Sequence, residues 1–237
     1  MTWTRKDSND RKVMEGYLDF NTAKAVKRLQ EKKIVNDIMG VAKEGKESTI
    51  IIATDMENKK IILKIFKIEA SQFQRMQKYI QGDRRFAGIK MTRQSLVYNW
   101  CKKEFSNLKR ARTAGVTVPE PIAFQKNVLV MEFIGDEELA PKLKDLTLEN
   151  PGKMLDSILK EVKKLYTEAN LVHADLSEYN ILVRDGKPVI HDMAQSVEPS
   201  HQMANEFLKR DIDNICKYFE GLGVKRDREK ILEDIVA

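Results

Sequence analysis

Three polar side chains in the C-terminal half of the chain have types and spacing suited to phosphoryl transfer. Asp175 and Asn180 lie in the stretch His-Ala-Asp-Leu-Ser-Glu-Tyr-Asn, and Asp192 follows a second apolar run. Asn and Asp supply oxygen ligands of the kind that Mg²⁺ takes, usually together with phosphate oxygens. A carboxylate in the preceding loop could accept a proton from a substrate hydroxyl, or orient it. We therefore predict that Asp175 serves the nucleophile and that Asn180 and Asp192 serve the metal.

A predicted hairpin explains how the chain would bring Asn180 and Asp192 together. Two apolar runs, 181–183 and 189–191, flank Asp185-Gly186, a pair that favours a tight turn. Asn180 and Asp192 lie six positions on either side of Gly186. A hairpin in that register places both side chains at its open end, where together they could hold a divalent cation.

The plain alternative is that these residues have no joint task, because His, Asp and Asn all favour turns and caps. A long amphipathic helix before the loop and a hairpin that ends in Asp192 favour the joint role. His173 is the exception. We interpret it as a packing residue that braces the loop rather than as a proton-transfer group.

Length and composition predict a cytoplasmic protein with one large domain or two small lobes. The chain has 237 residues, of which 42% are hydrophobic and 33% charged. No apolar run approaches the roughly 20 residues of a membrane span, and the N-terminus lacks a signal-peptide core. Cys101 and Cys216 are isolated within helical patterns, so we expect reduced, structural thiols rather than a disulfide framework or a metal cluster.

The order of predicted elements indicates two lobes. The first lobe contains helices and strands that we place at 21–39 (helix, followed by Gly40), 49–53, 61–67, 96–113 (helix), 121–124 and 128–133. The connector 135–138 follows. The corresponding domains are an N-terminal helical extension (1–39), a small lobe with a basic flexible loop at about 81–94 (40–134), and a reduced large lobe (135–237).

The second lobe contains two predicted amphipathic helices around the catalytic loop. Asn150-Pro151 offers an N-cap and a first-turn proline for one of them. Its inward side chains would be Leu155, Ile158, Leu159, Val162, Leu165 and Tyr166. Those of the other helix, within 202–219, would be Phe207, Leu208, Ile212, Ile215 and Phe219. Only 45 residues follow Asp192, too few for the activation segment and peptide-seating helices of a full protein-kinase large lobe.

Lys64 lies inside the predicted strand 61–67, on the same face as Ile62 and Phe66. A lysine in such a strand is costly unless its charge is paired. An ATP phosphate and a helix carboxylate would pair it, and Glu104 is the only acidic residue of the helix that follows. The alternative is an edge-strand lysine that points at water.

Six short motifs, spread over nearly the whole chain, resemble those of one enzyme family. They are Gly45-Lys46-Glu47, Ile62–Lys67, Tyr79–Phe86, Lys103-Glu104-Phe105, Val130–Gly135 and His173–Asn180. They resemble the motifs of the RIO-type atypical serine protein kinases, most closely the first subgroup. The resemblance implies an α+β, two-lobed protein-kinase-like fold with an N-terminal helical extension and a truncated C-terminal lobe.

The resemblance also implies a role for each site residue. Asp175 corresponds to the catalytic aspartate, and Asn180 and Asp192 to ligands of Mg²⁺ or Mn²⁺. The positions that would bind ATP are Lys64 with Glu104, the backbone of Glu132 and Ile134 at the hinge, and Lys46, Glu47 and Ser48 in the phosphate-covering turn. In this family the residue matching Asp192 is also regarded as a phosphate acceptor, so that ATP hydrolysis through an aspartyl-phosphate would be a physiological reaction.

Two departures from the family pattern accompany the resemblance. In the nucleotide loop, Lys43-Glu44 stand where Ser-Thr is expected, and Ser48-Thr49 stand where Ala-Asn is expected. Glu44 would repel phosphates unless it points away. Ala194 stands where conventional kinases have the glycine of Asp-Phe-Gly, which removes the usual switch hinge without touching Asp192.

Positive charge concentrates between Arg75 and Arg112. This region holds eleven Lys or Arg against Asp83 and Glu104, a net charge of +9, whereas the whole chain sums to +6. The plain interpretation is a solvated helix with a mobile loop. The family resemblance implies work on maturing small ribosomal subunits, and it favours contact with a subunit precursor or its rRNA.

Three functions are compatible with the sequence. The first is a magnesium-dependent serine/threonine kinase and ATPase that drives a ribosome-assembly step on a protein substrate left open. The second is a small-molecule phosphotransferase of the antibiotic or choline kinase type, which needs a larger substrate lobe than this chain supplies. The third is a nucleotide-binding scaffold, which the altered nucleotide loop suggests and the intact set of Lys64, Asp175, Asn180 and Asp192 opposes.

Overall fold

The computed structural model describes residues 18–67, 79 and 92–237, and the chain divides into two compact units. Among the described residues, the first unit comprises 18–67, 92–105 and Pro121–Phe133, and the second comprises Tyr79, Ser106–Glu120 and Ile134–Ala237. Most of the predicted loop 81–94, and all of the motif Tyr79–Phe86 except Tyr79, lie outside the described residues.

In its described residues, the first unit is built on a five-stranded antiparallel sheet. The strand order is β1-β2-β3-β5-β4. The strands are β1 (Ile38–Glu44), β2 (Ser48–Thr54), β3 (Lys60–Phe66), β4 (Pro121–Gln125) and β5 (Val128–Glu132). Strand β3 is therefore central, between β2 and β5, and all of its residues after Lys60 are buried.

Helix α1 (Phe20–Glu31) covers one face of this sheet. Its N-cap Asp19 accepts hydrogen bonds from the backbone nitrogens of Asn21 and Thr22, which satisfies two of the donors that a helix start leaves open. The apolar cluster beneath α1 consists of Ala25, Val26, Leu29, Val35, Ile38, Ile51, Ala53, Ile61, Leu63, Ile65, Val128 and Val130.

The prediction of a helix through Met39 is wrong, because α1 ends at Glu31 and β1 begins at Ile38. Lys33 takes a left-handed backbone conformation with φ of 58°, which ends the helical path. Val35 and Ile38 nevertheless join the apolar cluster beneath α1. The hydrophobic character of these two residues is therefore compatible with a longer helix and also with the start of a strand.

Alternation along β3 places Lys64 on the face opposite α1. Ile61, Leu63 and Ile65 belong to the cluster beneath α1, and successive strand residues point to opposite faces. Lys64 therefore faces away from α1, toward helix α2 (Arg93–Thr113), which carries Glu104. The predicted stop of α2 is confirmed at Ala114-Gly115, where Gly115 has a φ of 75°.

The second unit contains the described helices α3 (Pro151–Thr167), α4 (Ala204–Glu220) and α5 (Arg228–Val236), and the hairpin of β6 (Ile181–Arg184) and β7 (Lys187–Ile190). Helix α3 packs against β7, α4 and α5. The Asn150 side chain caps α3 by accepting from the backbone nitrogen of Lys153, as predicted, and Pro151 is the first helical residue.

The predicted inward faces of the two helices are largely confirmed. All five predicted residues of α4 are buried, and so are Leu155, Ile158, Val162 and Leu165 of α3. Leu159 and Tyr166 are only partly buried. Within the described residues, no helix has the length and apolar character needed to cross a membrane.

Gly135 carries the most restrictive backbone position of the connector, and we expect Gly135→Ala to destabilise the protein by roughly 1–3 kcal/mol. Its φ is +148°, and a Cβ built there would lie 2.0 Å from the carbonyl oxygen of Glu138. Gly186→Ala is the matched control, because its φ is also positive but nothing lies within 4 Å of the added Cβ. Urea unfolding of the two variants tests this, and equal losses would contradict the steric explanation.

Candidate active site

The carboxylate of Asp211 in α4 fixes the backbone of the catalytic loop. This carboxylate accepts hydrogen bonds from the backbone nitrogens of Ala174, at 2.7 Å, and Leu176, at 2.8 Å. These two residues flank Asp175 on either side. Asp211 was not anticipated from the sequence, although its position on the apolar stripe of α4, between Leu208 and Ile215, indicated that it points inward.

Two further side chains of α4 fix the carbonyl groups of the same loop. Arg210 donates to the carbonyl oxygen of Ala174, and Asn214 donates through Nδ2 to that of Leu176 at 3.1 Å. Ala174 has a φ of 67°, an uncommon conformation for a residue with a side chain. A strained loop residue of this kind persists only where its surroundings hold it. Helix α4 therefore sets the backbone position from which Asp175 projects.

Asp175 itself receives contacts from both sides of the hairpin. Gln195 donates through Nε2 to its Oδ2 at 2.9 Å, and Asn180 donates through Nδ2 to its carbonyl oxygen at 2.8 Å. Because a carbonyl can only accept, the Asn180 amide has its nitrogen on this side and its Oδ1 on the other. Asn180 is thus oriented to offer an oxygen, as a hard cation requires. Gln195 was not anticipated.

The turn of the hairpin is confirmed, but its predicted register is wrong by one residue. Asp185 and Gly186 form a two-residue turn with φ of 51° and 69°, the combination that a type I′ turn needs. The strands pair Ile181 with Ile190, and the backbone nitrogen of His191 donates to the carbonyl of Asn180. The centre of the turn lies between Asp185 and Gly186 rather than on Gly186. Asn180 is therefore opposite His191, and Asp192 lies one residue beyond.

Asp192 lies just beyond the end of β7, and its left-handed backbone turns the chain away from the strand direction. Its φ is 66° and its ψ 56°, and a single 3₁₀ turn, Met193–Gln195, follows. Asn107 of α2 donates through Nδ2 to the carbonyl oxygens of Met193 and Ser196, which secures this turn. Asp192 and Asn180 thus lie at the same end of the hairpin on well-anchored backbone.

The oxygen donors at this end of the hairpin suit a Mg²⁺ ion that is held by only two protein groups. Asn180 and Asp192 provide oxygen atoms, and Mg²⁺ is usually held by one or two protein groups with water and phosphate oxygens completing its shell. In the described part of the chain, no group of three or more His, Cys, Asp and Glu residues is arranged to hold a metal.

His173 braces the loop, as expected. It is buried, and its Nε2 lies 3.1 Å from the carbonyl oxygen of His191, so this nitrogen carries the proton. Ser196 donates through its hydroxyl to the carbonyl oxygen of His173. The ring therefore links the catalytic loop to the end of β7.

Lys64 and Glu104 form a buried ion pair within the first unit, which confirms the predicted partner. Nζ of Lys64 lies 2.8 Å from both carboxylate oxygens, and the two side chains are 6% and 1% exposed. The Phe66 ring lies 5.0 Å from the same Nζ. Cys101 is buried nearby, where burial, and then the charge of Glu104, raise the pKa of its thiol. It behaves as a structural thiol, and Cys216 is also free and buried.

The nucleotide loop is the turn between β1 and β2. The backbone nitrogen of Gly45 donates to the carbonyl of Ser48, and Lys46 and Glu47 are exposed between them. Glu44, at the start of this turn, forms a 2.8 Å ion pair with Lys67, so its negative charge has a partner. The expected repulsion between Glu44 and phosphates is therefore offset by a neighbouring cation.

The remaining candidate residues lie at the end of β5 and just after it. Glu132 is the last residue of β5, opposite Ile61, and belongs to the first unit. Ile134 belongs to the second unit, and its carbonyl oxygen accepts from the backbone nitrogen of Ala140 at 2.8 Å. The structure thus assembles Lys64 with Glu104 in one unit and Asp175, Asn180 and Asp192 in the other.

The described part of the basic region, residues 79 and 92–112, offers fewer accessible cations than the sequence suggests. Lys103 is fully buried. Arg110 pairs with Glu198 at 2.7 Å and Arg112 with Glu120 at 3.2 Å. Arg93, Lys102 and Lys109 are exposed on α2. The cations between Arg75 and Lys90 lie outside the described residues.

Asp211 is expected to give the stability of the protein a distinctive pH dependence. Burial raises the pKa of its carboxyl from 3.8 to about 7, against the opposing effect of the backbone hydrogen bonds and Arg210 and with a small contribution from Asp175. A carboxyl with a raised folded-state pKa binds more protons in the folded state, so its contribution to stability falls as pH rises from about 4 to about 7.

Comparison with Asp211→Asn isolates this contribution, because the other groups titrate in both proteins. We expect the variant to be less stable overall, since an amide cannot accept from both backbone nitrogens, but its deficit should narrow between pH 4 and 7.5. Urea unfolding across this range is the measurement. A deficit that stays constant with pH would show that Asp211 does not titrate there.

The first unit holds a buried lysine that is paired with a carboxylate. The second holds a catalytic loop fixed by a helix, and a hairpin whose open end carries two oxygen ligands for a metal. Together these features define a protein-kinase-like enzyme. The profile of the RIO domain matches residues 49–231. The "RIO-type serine/threonine-protein kinase Rio1" of Haloferax volcanii is 37% identical over 229 residues, covering 96% of this chain and 79% of that protein. The protein of the same name from Methanocaldococcus jannaschii is 38% identical and covers 91% and 74%.

A eukaryotic relative and a solved structure agree with these matches. The Caenorhabditis elegans "Serine/threonine-protein kinase RIO1" is 38% identical over 92% of this chain, which spans 44% of that longer protein. The Rio2 kinase of Chaetomium thermophilum, solved as an ADP/Mg²⁺-phosphoaspartate complex, has a TM-score of 0.69 at 22% identity, over 88% of this chain and 64% of that one. This likeness confirms the predicted α+β, protein-kinase-like fold.

The chain therefore belongs to the RIO family of serine/threonine-protein kinases, as its motifs indicated. Its similarity to proteins named Rio1 in archaea and in animals confirms the predicted resemblance to the first subgroup.

Proposed function

We propose that this chain is a magnesium-dependent serine/threonine kinase and ATPase that acts in maturation of the small ribosomal subunit. Mn²⁺ is the alternative metal. The observation that carries the proposal is the anchored catalytic loop, in which Asp211 fixes the backbone on both sides of Asp175. Asn180, oriented by its bond to the Asp175 carbonyl, then offers its oxygen at the same hairpin end as Asp192.

Each residue has a separate task in the proposed reaction. Lys64, already paired with Glu104, would complement the charge of ATP phosphates, and Lys46, Glu47 and Ser48 would cover them. Asn180 and Asp192 would hold the cation, whose positive charge offsets the charge of the transferred phosphoryl group. Asp175 would accept the proton of the attacking hydroxyl, or orient it. The backbone of Glu132 and Ile134 would bind the adenine.

A phosphoryl group held on Asp192 would give the ATPase branch of this activity. An oxygen of the Asp192 carboxylate would bond to the γ-phosphorus of ATP while the bond to the bridging oxygen breaks and ADP leaves. Water would then attack the same phosphorus, which releases phosphate and restores the carboxylate. The phosphoaspartate named for the Chaetomium Rio2 complex supports this branch by analogy.

Labelling with γ-labelled ATP and magnesium distinguishes the branches. Wild type, Asp175→Asn and Asp192→Asn are compared for released phosphate and for label on protein, before and after hydroxylamine. Label that hydroxylamine removes and that Asp192→Asn lacks supports the aspartyl-phosphate; hydroxylamine-stable label supports serine transfer. Absence of both label and phosphate release would overturn the proposed activity and leave a nucleotide-binding scaffold.

We propose that the basic region contacts the small-subunit precursor. The contact would use the exposed cations of α2 and the Lys and Arg residues that lie outside the described residues. We expect charge reversal at Arg84, Arg85 and Arg93 to weaken association with small-subunit precursors and reduce its salt dependence. A matched control reverses three exposed lysines of α3, namely Lys153, Lys160 and Lys163. Equal association of all three proteins would contradict an RNA contact here. The cytoplasmic location likewise stays a prediction.

A further inference from the structure

The Gln195 side chain ends on the carboxylate that is proposed to accept the proton in phosphoryl transfer. Its Nε2 donates to Oδ2 of Asp175 at 2.9 Å. Gln195 is partly buried, and within the described part of the chain its side chain makes no other hydrogen bond. A hydrogen bond to an ionised acceptor is stronger than one between neutral groups. Because it selects one of the two carboxylate oxygens, this bond defines the plane of the carboxylate.

The backbone of Asp175 is fixed without any help from Gln195. Asp211 accepts hydrogen bonds from the backbone nitrogens of the residues on either side of Asp175, and Asn180 donates to the Asp175 carbonyl oxygen. These bonds do not set the side-chain torsions of Asp175, and the second torsion of an aspartate is broad rather than confined to staggered wells. The bond from Gln195 restricts these torsions. Gln195 therefore contributes the orientation of the carboxylate, whereas α4 contributes the position of the loop.

The turn that carries Gln195 is secured by contacts that do not involve its side chain. Asn107 donates through Nδ2 to the carbonyl oxygens of Met193 and Ser196, at 2.8 and 3.2 Å. The Ser196 hydroxyl donates to the carbonyl oxygen of His173. Loss of the Gln195 amide should therefore leave the turn folded, so that an effect on rate can be separated from an effect on stability.

The same turn begins at the proposed metal ligand. Asp192 is the N-cap of the 3₁₀ turn, and Gln195 is its last residue. One short, anchored segment thus carries the metal ligand at its start and the group that holds the Asp175 carboxylate at its end. Reaction rates depend steeply on such placement, since a displacement of about 1 Å can cost roughly 100-fold.

We propose that Gln195 is a positioning residue for phosphoryl transfer, whose amide holds Oδ2 of Asp175 so that the carboxylate meets the attacking hydroxyl or water in one orientation. The role rests on the proposed function, in which Asp175 accepts the proton of the nucleophile. Gln195 acts through Asp175 rather than on ATP or the metal. Its amide is neutral, so it orients the carboxylate without an ion pair that would take up the negative charge.

Gln195→Met tests the role, because methionine keeps the length of the side chain and lacks the donor. The measurement is a single turnover of γ-labelled ATP with magnesium, followed as free phosphate plus hydroxylamine-stable phosphoprotein. We expect a rate roughly 10- to 100-fold lower, with the dissociation constant of ATP and the urea unfolding curve close to wild type. Gln195→Glu, which has the same shape and no donor when ionised, should lose at least as much.

A kinetic double-mutant cycle with Asp175→Asn separates positioning from a general loosening of the turn. Residues that act as a unit are not additive, whereas independent effects multiply. Without a proton acceptor at position 175, orientation no longer matters, so Gln195→Met should change the rate of Asp175→Asn by at most about twofold. Arg110→Met is the structural control. It removes a 2.7 Å ion pair with Glu198, three residues after Gln195, and its factor should be the same in both backgrounds.

Two results would overturn the positioning role. One is a wild-type rate in both Gln195 variants, and the other is an equal factor for Gln195→Met in the two backgrounds. A failure of the proposed function gives a different result, because Asp175→Asn alone would then keep the wild-type rate.

Discussion

Replacing Asp175 with asparagine is expected to reduce turnover by roughly 100- to 10,000-fold while leaving the fold and ATP affinity nearly unchanged. Asparagine has the same shape, and its oxygen can still accept the hydrogen bond that Gln195 now donates to Oδ2 of Asp175. The backbone bonds from Asp211 and Asn180 do not involve the side chain that is changed. The substitution removes the capacity to accept a proton together with one negative charge.

Glu178→Gln is the matched control for this variant. It removes one negative charge from the same loop, three residues away. The backbone carbonyl of Glu178 accepts a hydrogen bond from the backbone nitrogen of Lys144, and the substitution leaves this bond in place. We expect near wild-type turnover for the control. Steady-state phosphate release and nucleotide titration are the measurements. A similar decrease in both variants would mean that loop charge, rather than proton acceptance by Asp175, determines the rate.

The local parts of the candidate site were predictable because they depend on short-range spacing. The Asp185-Gly186 turn follows from the need for two positive φ values, which Asp and Gly tolerate. The Lys64–Glu104 pair followed from elimination, since a buried lysine needs a partner and the helix offered one carboxylate. Both inferences needed only residue types and element order.

The register of the hairpin and the support of the catalytic loop were not predictable in the same way. A symmetric count about Gly186 ignored that a two-residue turn is centred between its residues, which moves the pairing of Asn180 to His191. Asp211 acts across 35 to 37 positions of sequence. An acidic residue in an amphipathic helix is usually solvated, and only its position on the apolar stripe distinguished it.

Two elements were missed for related reasons. Strand β1 begins at Ile38, which joins Val35 of the preceding segment in the cluster beneath α1, so periodicity favoured a longer helix. Helix α5 has nine residues with five charged ones among its first seven, and its packing against α3 and α4 decides its formation. Short helices are marginal alone, and tertiary contacts rather than propensity stabilise them.

Breaking the Lys64–Glu104 pair from either side is expected to destabilise the protein by roughly 3–5 kcal/mol. Both side chains are almost fully buried, and Nζ of Lys64 contacts both oxygens of Glu104. Lys64→Met leaves a buried carboxylate, and Glu104→Gln leaves a buried ammonium. Each remaining charge loses the partner that offsets its desolvation.

The double variant Lys64→Met/Glu104→Gln should recover much of this loss, because it removes both buried charges and keeps the volume of both side chains. Urea unfolding of the four proteins gives the coupling free energy of the cycle. Lys67→Met with Glu44→Gln is the matched control, since that pair has the same 2.8 Å separation but is well exposed. We expect at most about 1 kcal/mol of coupling there. If the buried cycle gave no more coupling than the exposed one, the pair would not be held as a unit, and the proposal that a fixed Lys64 receives ATP phosphates would lose its structural basis.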